Sequence, residues 1–271
     1  MEPLALLFDE TTGEPLPLPP DLFALYGPLR MALRPDRPHV FANFVASVDG
    51  IVAFDPPRGS GAEISGENAN DRALMGLLRA VADGVVIGAG NLRAAGDHVW
   101  TAECICPELA ESYAKLRSAL GKEAAPLQVV VSGSGNVDLS RAVFSGTAPS
   151  LLVTTAAGVA SLGAQRSTIR MAVTERGAAW ISLATVLEAA RLGPGALVLV
   201  ESGPTSTTRF LAEGAVDELF LTRAPIFVGR SSEPRTLALV EGLCFRPGAL
   251  SGRLLSARRG GDYLFLRYAI A

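Results

Sequence analysis

The chain has 271 residues, of which 49% are hydrophobic, and its 24 basic and 27 acidic residues leave a formal net charge of −3. This length fits one large domain or two small ones, with a core that needs no disulfide or metal to hold it. No basic tract stands out, so we expect neither nucleic acid nor a membrane surface as a partner. No apolar run approaches the ~18 residues of a transmembrane helix. The N-terminus Met1-Glu2-Pro3-Leu4 lacks a signal-peptide pattern, so we expect a cytoplasmic location.

The cysteines and histidines give little sign of a metal site. Cys104, Cys106 and Cys244 are an odd number of cysteines, which is typical of a protein from a reducing compartment. His98 precedes the first two cysteines, but the spacing matches no usual zinc pattern. No metal site is predicted.

The N-terminal segment, residues 1–38, is rich in proline. Proline excludes a long helix or a central strand, so we expect an extended arm lying over a single domain of residues 39–271. The prolines of this segment are Pro3, Pro15, Pro17, Pro19, Pro20, Pro28, Pro35 and Pro38.

Strands and helices are predicted to alternate through the rest of the chain. The pattern ends with two alternating runs joined at Gly260-Gly261, which is a hairpin signal. We therefore predict an α/β fold with three α/β/α layers, whose mixed, mostly parallel sheet ends in an antiparallel C-terminal hairpin. The predicted strands are residues 39–46, 51–54, 85–88, 127–131, 151–155, 169–174, 197–200, 218–222, 252–259 and 263–269, and the predicted helices are 68–82, 107–120, 182–192 and a short one after Pro204.

Three strand ends run into loops rich in glycine and hydroxyl side chains, at residues 84–91, 129–135 and 196–208. In the third, a Gly-Pro turn leads directly into a helix, so backbone N–H groups and the positive end of the helix dipole converge where a phosphate would sit. Glycine also lets the backbone approach a bound group closely. None of the three loops carries a complete Rossmann or P-loop motif. Together they favour a long ligand with several phosphates, lying across the strand ends.

Hydrolytic machinery is not evident in the sequence. Only His39 and His98 are available as imidazole bases, and no serine lies in a Gly-x-Ser-x-Gly motif. We assign no catalytic residue from the sequence. A cofactor that carries the reactive atom would explain this composition.

Six motifs in fixed order carry a family resemblance. They resemble the riboflavin-pathway pyrimidine reductases, the reductase domain of the bifunctional deaminase–reductase, over roughly residues 39–270. The motifs are Phe44-Val45-Ala46-Ser47-Val48-Asp49-Gly50, Ile64-Ser65-Gly66-Glu67-Asn68, Leu77-Leu78-Arg79-Ala80, Gly88-Ala89-Gly90, Glu201-Ser202-Gly203-Pro204-Thr205 and Leu211-Ala212-Glu213-Gly214-Ala215-Val216-Asp217-Glu218-Leu219.

The resemblance implies a dihydrofolate reductase-like fold, an NADPH cofactor, a homodimer and hydride transfer to a pyrimidine or pterin-like substrate. The substrate of the family is a phosphoribosylamino-pyrimidine, whose ribose is opened to a ribitol. In the family pattern the substrate-facing residues are Asp49, Ser65, Arg79 and Glu201. The cofactor-binding residues are Val45 and Ala46 at the nicotinamide half, Gly88, Gly90 and Asn91 along the cofactor cleft, Ser132, Gly133 and Ser134 at the 2′-phosphate, and Gly203, Pro204, Thr205, Ser206 and Thr207 at the pyrophosphate.

The segment after Gly90 departs from the family pattern. Asn91 replaces the usual Thr, and residues 92–102 lack the Asp-Asp-Pro run and the Arg that reads the substrate phosphate. A buried phosphate needs charge-assisted partners, so we expect weak turnover of the phosphorylated intermediate unless Arg58 or Arg93 replaces that Arg. Two alternatives stay open: a dihydrofolate-reductase-like activity, and a nucleotide-binding module without turnover.

Overall fold

A computed structural model describes residues 1–55, 60–122, 125–163, 169–174, 180–233 and 235–271. The strands are Ala5–Asp9 (β1), His39–Ala46 (β2), Ile51–Asp55 (β3), Gly84–Gly88 (β4), Leu127–Ser132 (β5), Ser150–Thr155 (β6), Met171–Thr174 (β7), Leu197–Glu201 (β8), Glu218–Arg223 (β9), Arg235–Ala238 (β10), Gly252–Gly260 (β11) and Tyr263–Ile270 (β12). The α-helices are Pro20–Tyr26 (α1), Ser60–Ser65 (α2), Ala69–Val81 (α3), Ala89–Ala94 (α4), Ala102–Ile105 (α5), Ala110–Ala119 (α6), Ala156–Leu162 (α7), Leu183–Ala190 (α8) and Pro204–Ala212 (α9).

The described strands form a large mixed sheet in the order β1-β11-β12-β9-β2-β8-β4-β5-β6-β7, and β3 pairs with β10 in a separate small sheet. Strands β9, β2, β8, β4, β5, β6 and β7 run parallel. The C-terminal hairpin β11–β12 adds to β9 in antiparallel fashion. The predicted mixed, mostly parallel sheet with an antiparallel C-terminal hairpin is confirmed.

Helices cover both faces of the large sheet. Alternate residues of its strands point to opposite faces, so each strand contributes side chains to two separate cores. Phe41 and Leu199 belong to the core that packs under α1, α3 and α6. Val40 and Val200 face the other core, which packs against α8 and α9. The strands are apolar on both faces for this reason, as expected for a parallel sheet between two helical layers.

Residues 1–38 contain more regular structure than the predicted extended arm. Strand β1 pairs with β11 and forms one edge of the sheet. Helix α1 buries Leu22 and Tyr26, and the Arg258 guanidinium lies 4.1 Å from the Tyr26 ring centroid. The sequence did not reveal β1, because its pairing partner lies at the other end of the chain.

Several short helices fall where we predicted loops. Helix α4 begins directly after Gly88, and α2, α5 and α7 were also not predicted. Each has seven residues or fewer, so the apolar periodicity that identifies a helix is too short to recognise. No helix in the described part of the chain is long and apolar enough to cross a membrane.

Candidate active-site cleft

A cleft of about 480 Å³ opens at the carboxyl edge of the parallel strands. Because β2 and β8 are parallel neighbours, their ends reach the same edge of the sheet, and α3 lies across them. A ligand site at this edge is the general expectation for an α/β sheet. The cleft is lined by Asn43, Phe44, Val45, Val52, Ala53, Gly61, Ala62, Ser65, Glu67, Asp71, Arg72, Met75, Arg79, Asn91, Ala94, Ala95, His98, Trp100, Ile105, Glu201, Ser202, Gly203 and Pro204.

A buried ion pair joins the two sides of this cleft. Arg79 on α3 donates from Nε to Oε1 of Glu201 at 3.0 Å and from Nη2 to Oε2 at 2.7 Å. Arg79 is only 1% exposed and Glu201 7%. The bidentate geometry fixes both side chains, and it explains why a charged residue is tolerated on the buried face of α3.

His98 extends this polar arrangement. Arg79 Nη1 lies 2.9 Å from His98 Nε2, and it also donates to the Thr101 carbonyl at 3.2 Å. Burial and the adjacent Arg79 cation lower the pKa of His98 to about 4. The imidazole is therefore neutral at physiological pH, and Nε2 accepts the hydrogen bond from Arg79.

Asp71 lies on the same helix face as Arg79, two turns closer to the N-terminus of α3. Its backbone N–H is capped by the Asn68 side chain at 3.0 Å, and its side chain is buried. Burial raises the pKa of this carboxyl group to about 6, and the negative charge of Glu201 adds to the shift. Asp71 is thus a buried acid in the cleft wall that titrates close to neutral pH.

The backbone lies close together where β4 and β8 end, at Gly88 and Gly203. A Cβ atom at Gly88 would lie 3.6 Å from the Gly203 nitrogen, and one at Gly203 would lie 3.3 Å from Asn91 Oδ1. Asn91 Nδ2 donates to the Glu201 carbonyl at 2.8 Å. A Cβ at Gly90 would meet no atom within 4 Å, so packing does not require glycine there.

Helix α9 begins at the floor of the cleft. Gly203 and Pro204 line the cleft, Thr205 is exposed and Ser206 is half-buried. Thr207 instead supports the turn, since its N–H donates to the Gly203 carbonyl at 3.0 Å and its hydroxyl to the Ser202 carbonyl at 3.2 Å. Gly203 has a φ of −62°, so glycine serves here for space and not for a left-handed backbone.

The loop Ser132-Gly133-Ser134 lies at the end of β5, on the same edge but outside the cleft lining. Two threonines of β6 hold its backbone: Thr154 donates to the Ser132 carbonyl at 2.6 Å and Thr155 to that of Gly133 at 2.7 Å. Ser134 is exposed at the tip of the loop.

Two predicted residues, Asp49 and Ala46, are not among those that line the cleft. Asp49 accepts hydrogen bonds from Ser47 at 2.7 Å and from the backbone of Val228 and Gly229, and these bonds lower its pKa to about 2. Its carboxylate therefore holds the loop at 228–229. Ala46 packs into the core on the other sheet face, whereas its neighbour Val45 lines the cleft.

The sequence analysis did not predict several polar residues that line the cleft, among them Asn43, Asp71, Arg72 and His98. The one available signal was the spacing of residues 71, 75 and 79, which lie one turn apart on one helix face. Arg58 lies outside the described residues, and Arg93 is exposed, with Nη1 donating to the Asn136 carbonyl at 3.0 Å. Among the described residues, no group of three or more His, Cys, Asp or Glu side chains could hold a metal ion.

A family model described as the RibD C-terminal domain matches residues 38–247. The chain belongs to this family. The match confirms the resemblance found in the sequence motifs. A curated relative, the 2,5-diamino-6-ribosylamino-4(3H)-pyrimidinone 5′-phosphate reductase of Archaeoglobus fulgidus, is 27% identical over 202 residues, which are 73% of this chain and 85% of the relative.

Solved structures share the fold of this RibD C-terminal domain at lower identity. A pyrimidine reductase-like protein from Corynebacterium diphtheriae has a TM-score of 0.67 at 22% identity, covering 86% of this chain and 92% of that one. RibD of Acinetobacter baumannii has a TM-score of 0.61 at 19% identity, and the match covers 87% of this chain but 58% of RibD. The riboflavin biosynthesis reductase Rib7 of Saccharomyces cerevisiae has a TM-score of 0.59 at 14% identity, with 87% and 90% covered. The dihydrofolate reductase-like fold is confirmed.

Proposed function

We propose that this protein is an NADPH-dependent reductase of riboflavin biosynthesis, which transfers a hydride to a ribosylaminopyrimidine. The observation that supports the proposal most is the cleft, where the end of β8 and the start of α9 lie beside the buried Arg79–Glu201 pair. The chain's membership of the RibD C-terminal domain family agrees with it. Relatives are described as acting on either 2,5-diamino-6-ribosylamino-4(3H)-pyrimidinone 5′-phosphate or 5-amino-6-(5-phosphoribosylamino)uracil.

The residues at the carboxyl edge fit a dinucleotide. Gly203 and Pro204 leave the start of α9 open to the cleft, where backbone N–H groups and the helix dipole favour a pyrophosphate. Val45 and Asn91 would contact the nicotinamide half, and Ser134 would meet the 2′-phosphate. When bound, the reduced nicotinamide supplies the hydride.

The chain's own residues would orient the pyrimidine. The Arg79–Glu201 pair forms one wall of the cleft. Glu201 binds Nε and Nη2 of Arg79, and His98 binds the remaining guanidinium nitrogen, Nη1. Because these side chains are already fixed, they can hold a substrate in one orientation without rearrangement of the protein. Orienting a substrate in this way lowers the free-energy barrier of a reaction.

Oxidation of NADPH in the presence of each pyrimidine, followed by absorbance, tests the proposal. Pyrimidine-dependent NADPH oxidation with a ribitylamino product is the expected result. NADPH binding without turnover of any pyrimidine would favour the nucleotide-binding module instead.

We also propose that the 5′-phosphate contributes little to turnover, because the family's phosphate-reading Arg is missing. Losing one charge-assisted contact with a phosphate corresponds to about ten- to a hundredfold in affinity. Arg72 is the partly exposed cation in the cleft lining that could compensate. Steady-state kinetics on phosphorylated and dephosphorylated pyrimidine check this, and a kcat/KM on the order of 10⁴ M⁻¹s⁻¹ or more for the phosphorylated form alone would contradict it.

We also propose that the protein is cytoplasmic and forms a homodimer. Apolar side chains of the edge strand β1 are exposed, with Leu6 at 54% and Leu7 at 57%, which suits a surface that a second copy covers. Light scattering of the purified protein at micromolar concentration would give the mass of a monomer if this proposal is wrong.

A further inference from the structure

The cleft wall contains a buried carboxyl group, that of Asp71, outside the Arg79–Glu201 ion pair. Asp71 is 4% exposed and lines the cleft, yet it forms no ion pair within the described residues. Glu201, the other buried acid of the wall, is fully engaged by Arg79. A buried carboxylate with no such partner is costly, so its presence needs a reason.

The Thr222 hydroxyl faces the Asp71 carboxyl group as a hydrogen-bond donor. Asn43, which lines the cleft together with Asp71, has a buried Oδ1 without a hydrogen-bond partner. Thr222 and Asn43 come from adjacent strands and share one sheet face, since Thr222 pairs with Val45 and Asn43 pairs with Phe220 in the parallel register of β2 and β9.

This end of the cleft therefore presents more hydrogen-bond acceptors than the single Thr222 hydroxyl can satisfy. An ionised Asp71 accepts only, and Asn43 presents its carbonyl oxygen. Each buried acceptor left unpaired costs about 1–3 kcal/mol, so a ligand that brings N–H donors to this place is favoured over one that does not.

We infer that Asp71, together with Asn43, selects a pyrimidine that carries an amino group at C2 over one that carries a carbonyl oxygen there. The inference rests on the proposed function and names its substrate class. In a 2-amino-4(3H)-pyrimidinone, the N3–H and the 2-amino group are adjacent donors that match the two oxygens of a carboxylate. In a uracil, the C2 carbonyl oxygen would face the carboxylate and leave one of its oxygens unpaired.

The electrostatics of the wall agree with this assignment. With a pKa raised to about 6 by burial and by Glu201, Asp71 is largely ionised at neutral pH. Arg72 and Arg79 keep the region from being strongly negative, and the neutral His98 adds no charge. A neutral ring with two N–H donors satisfies the carboxylate without requiring a further cation.

The test compares two pyrimidines that differ only at C2, amino against oxo, at the same phosphorylation state. Equilibrium binding and kcat/KM with saturating NADPH are measured for each. The wild-type protein should prefer the 2-amino compound by about tenfold or more in both measurements. Asp71→Asn should reverse the preference, because a carboxamide presents one acceptor and one donor and so matches the N3–H and C2 carbonyl of a uracil.

Glu111→Gln, on the exposed side of α6, is the control and should keep the wild-type preference. Equal or tighter binding of the 2-oxo compound by wild type would overturn the inference, as would an unchanged preference in Asp71→Asn. If the 2-amino compound binds tenfold tighter but no hydride is transferred, the proposed activity fails while the inference stands. If neither pyrimidine binds, both fail.

Discussion

Two buried clusters of charged side chains lie at opposite ends of the strand pair β2–β9, and they differ in how their carboxylates are paired. At the amino end, Asp217 accepts from Arg37 at 2.9 Å and from the Val40 backbone at 2.9 Å, and Glu218 accepts from Arg267 at 2.6 Å. At the carboxyl end, Arg79 pairs with Glu201, whereas Asp71 forms no ion pair within the described residues and interacts with the Arg72 charge at longer range.

The pKa values follow this difference in pairing. Burial opposes ionisation at both ends. The hydrogen bond from Arg37 nevertheless keeps the pKa of Asp217 below its ordinary range, and the adjacent His39 and Arg267 do the same for Glu218. The pKa of Asp71 is raised instead. The amino-end cluster stabilises the fold on its own, whereas the carboxyl-end cluster leaves an acceptor available to a ligand in the cleft.

The largest expected effect is the loss of a buried charge partner. Glu201→Gln leaves Arg79 buried without a carboxylate, and Glu218→Gln does the same to Arg267. Each should lower the free energy of unfolding by about 3–5 kcal/mol in urea denaturation. Only Glu201→Gln should also weaken pyrimidine binding, because only that pair borders the cleft.

A double variant keeps this comparison testable if Glu201→Gln does not fold. Replacing both Arg79 and Glu201 by Met removes the pair and leaves no buried charge, so much of the stability should return. Pyrimidine binding should not return. If both the stability and the pyrimidine binding returned in the double variant, the ion pair would have no role in binding the pyrimidine.

The second prediction concerns the pH dependence of stability at Asp71. The folded protein holds this proton up to a pH of about 6, whereas the unfolded chain releases it near 3.8, the ordinary pKa of an aspartate side chain. Ionisation of Asp71 therefore destabilises the folded state progressively as the pH rises from about 4 to about 6. Asp71→Asn lacks this penalty and should be more stable than wild type by ~3 kcal/mol at pH 7 and equally stable near pH 4.

Chemical denaturation of both proteins across this pH range measures the difference curve. The other charged groups around the site, Glu201, Arg72, Arg79 and His98, are common to both proteins, so they contribute little to the difference. A difference that does not change between pH 4 and pH 7 would mean that Asp71 has an ordinary pKa.

The third prediction concerns cofactor binding at the start of α9. Gly203→Val places a branched side chain where a pyrophosphate would lie, and its Cβ would approach Asn91 Oδ1 at 3.3 Å. The φ of −62° accepts any residue, so the fold should persist. NADPH affinity should fall about ten- to a hundredfold by titration, with circular dichroism unchanged.

Gly193→Val is the matched control, because a Cβ there meets nothing within 4 Å and the position is remote from the cleft lining. It should bind NADPH as wild type does. Unchanged affinity in Gly203→Val would refute the phosphate-binding role of this turn.

Much of the fold follows from local sequence patterns, but the cleft wall does not. The helix predicted at residues 68–82 is Ala69–Val81 with Asn68 as its N-cap, because its leucines repeat at helical spacing and Asn68 caps well. The Glu201-Ser202-Gly203-Pro204 turn was also found, since glycine and proline mark it. Asp71 was missed because its environment depends on Thr222 and Glu201, which are distant in sequence. The sequence also could not show that the Asp49 carboxylate accepts from the amides of a loop about 180 residues later, because that contact is distant along the chain.

The smallest expected effect is at Arg93, which bears on the choice between NADPH and NADH. Its Nη1 donates to the Asn136 carbonyl at 3.0 Å, two residues beyond Ser134, so the guanidinium lies beside the loop expected to meet the 2′-phosphate. Wild type should bind NADPH more tightly than NADH, and a ~100-fold excess over Kd should add about 2.7 kcal/mol of stability in a thermal-shift assay. Because Arg93 is exposed, Arg93→Ala should weaken NADPH binding by less than about tenfold, more so at low salt, and leave NADH unchanged. Arg253→Ala, on the distant strand β11, should change neither. Equal losses for both cofactors, or tighter binding of NADH by wild type, would place the 2′-phosphate elsewhere.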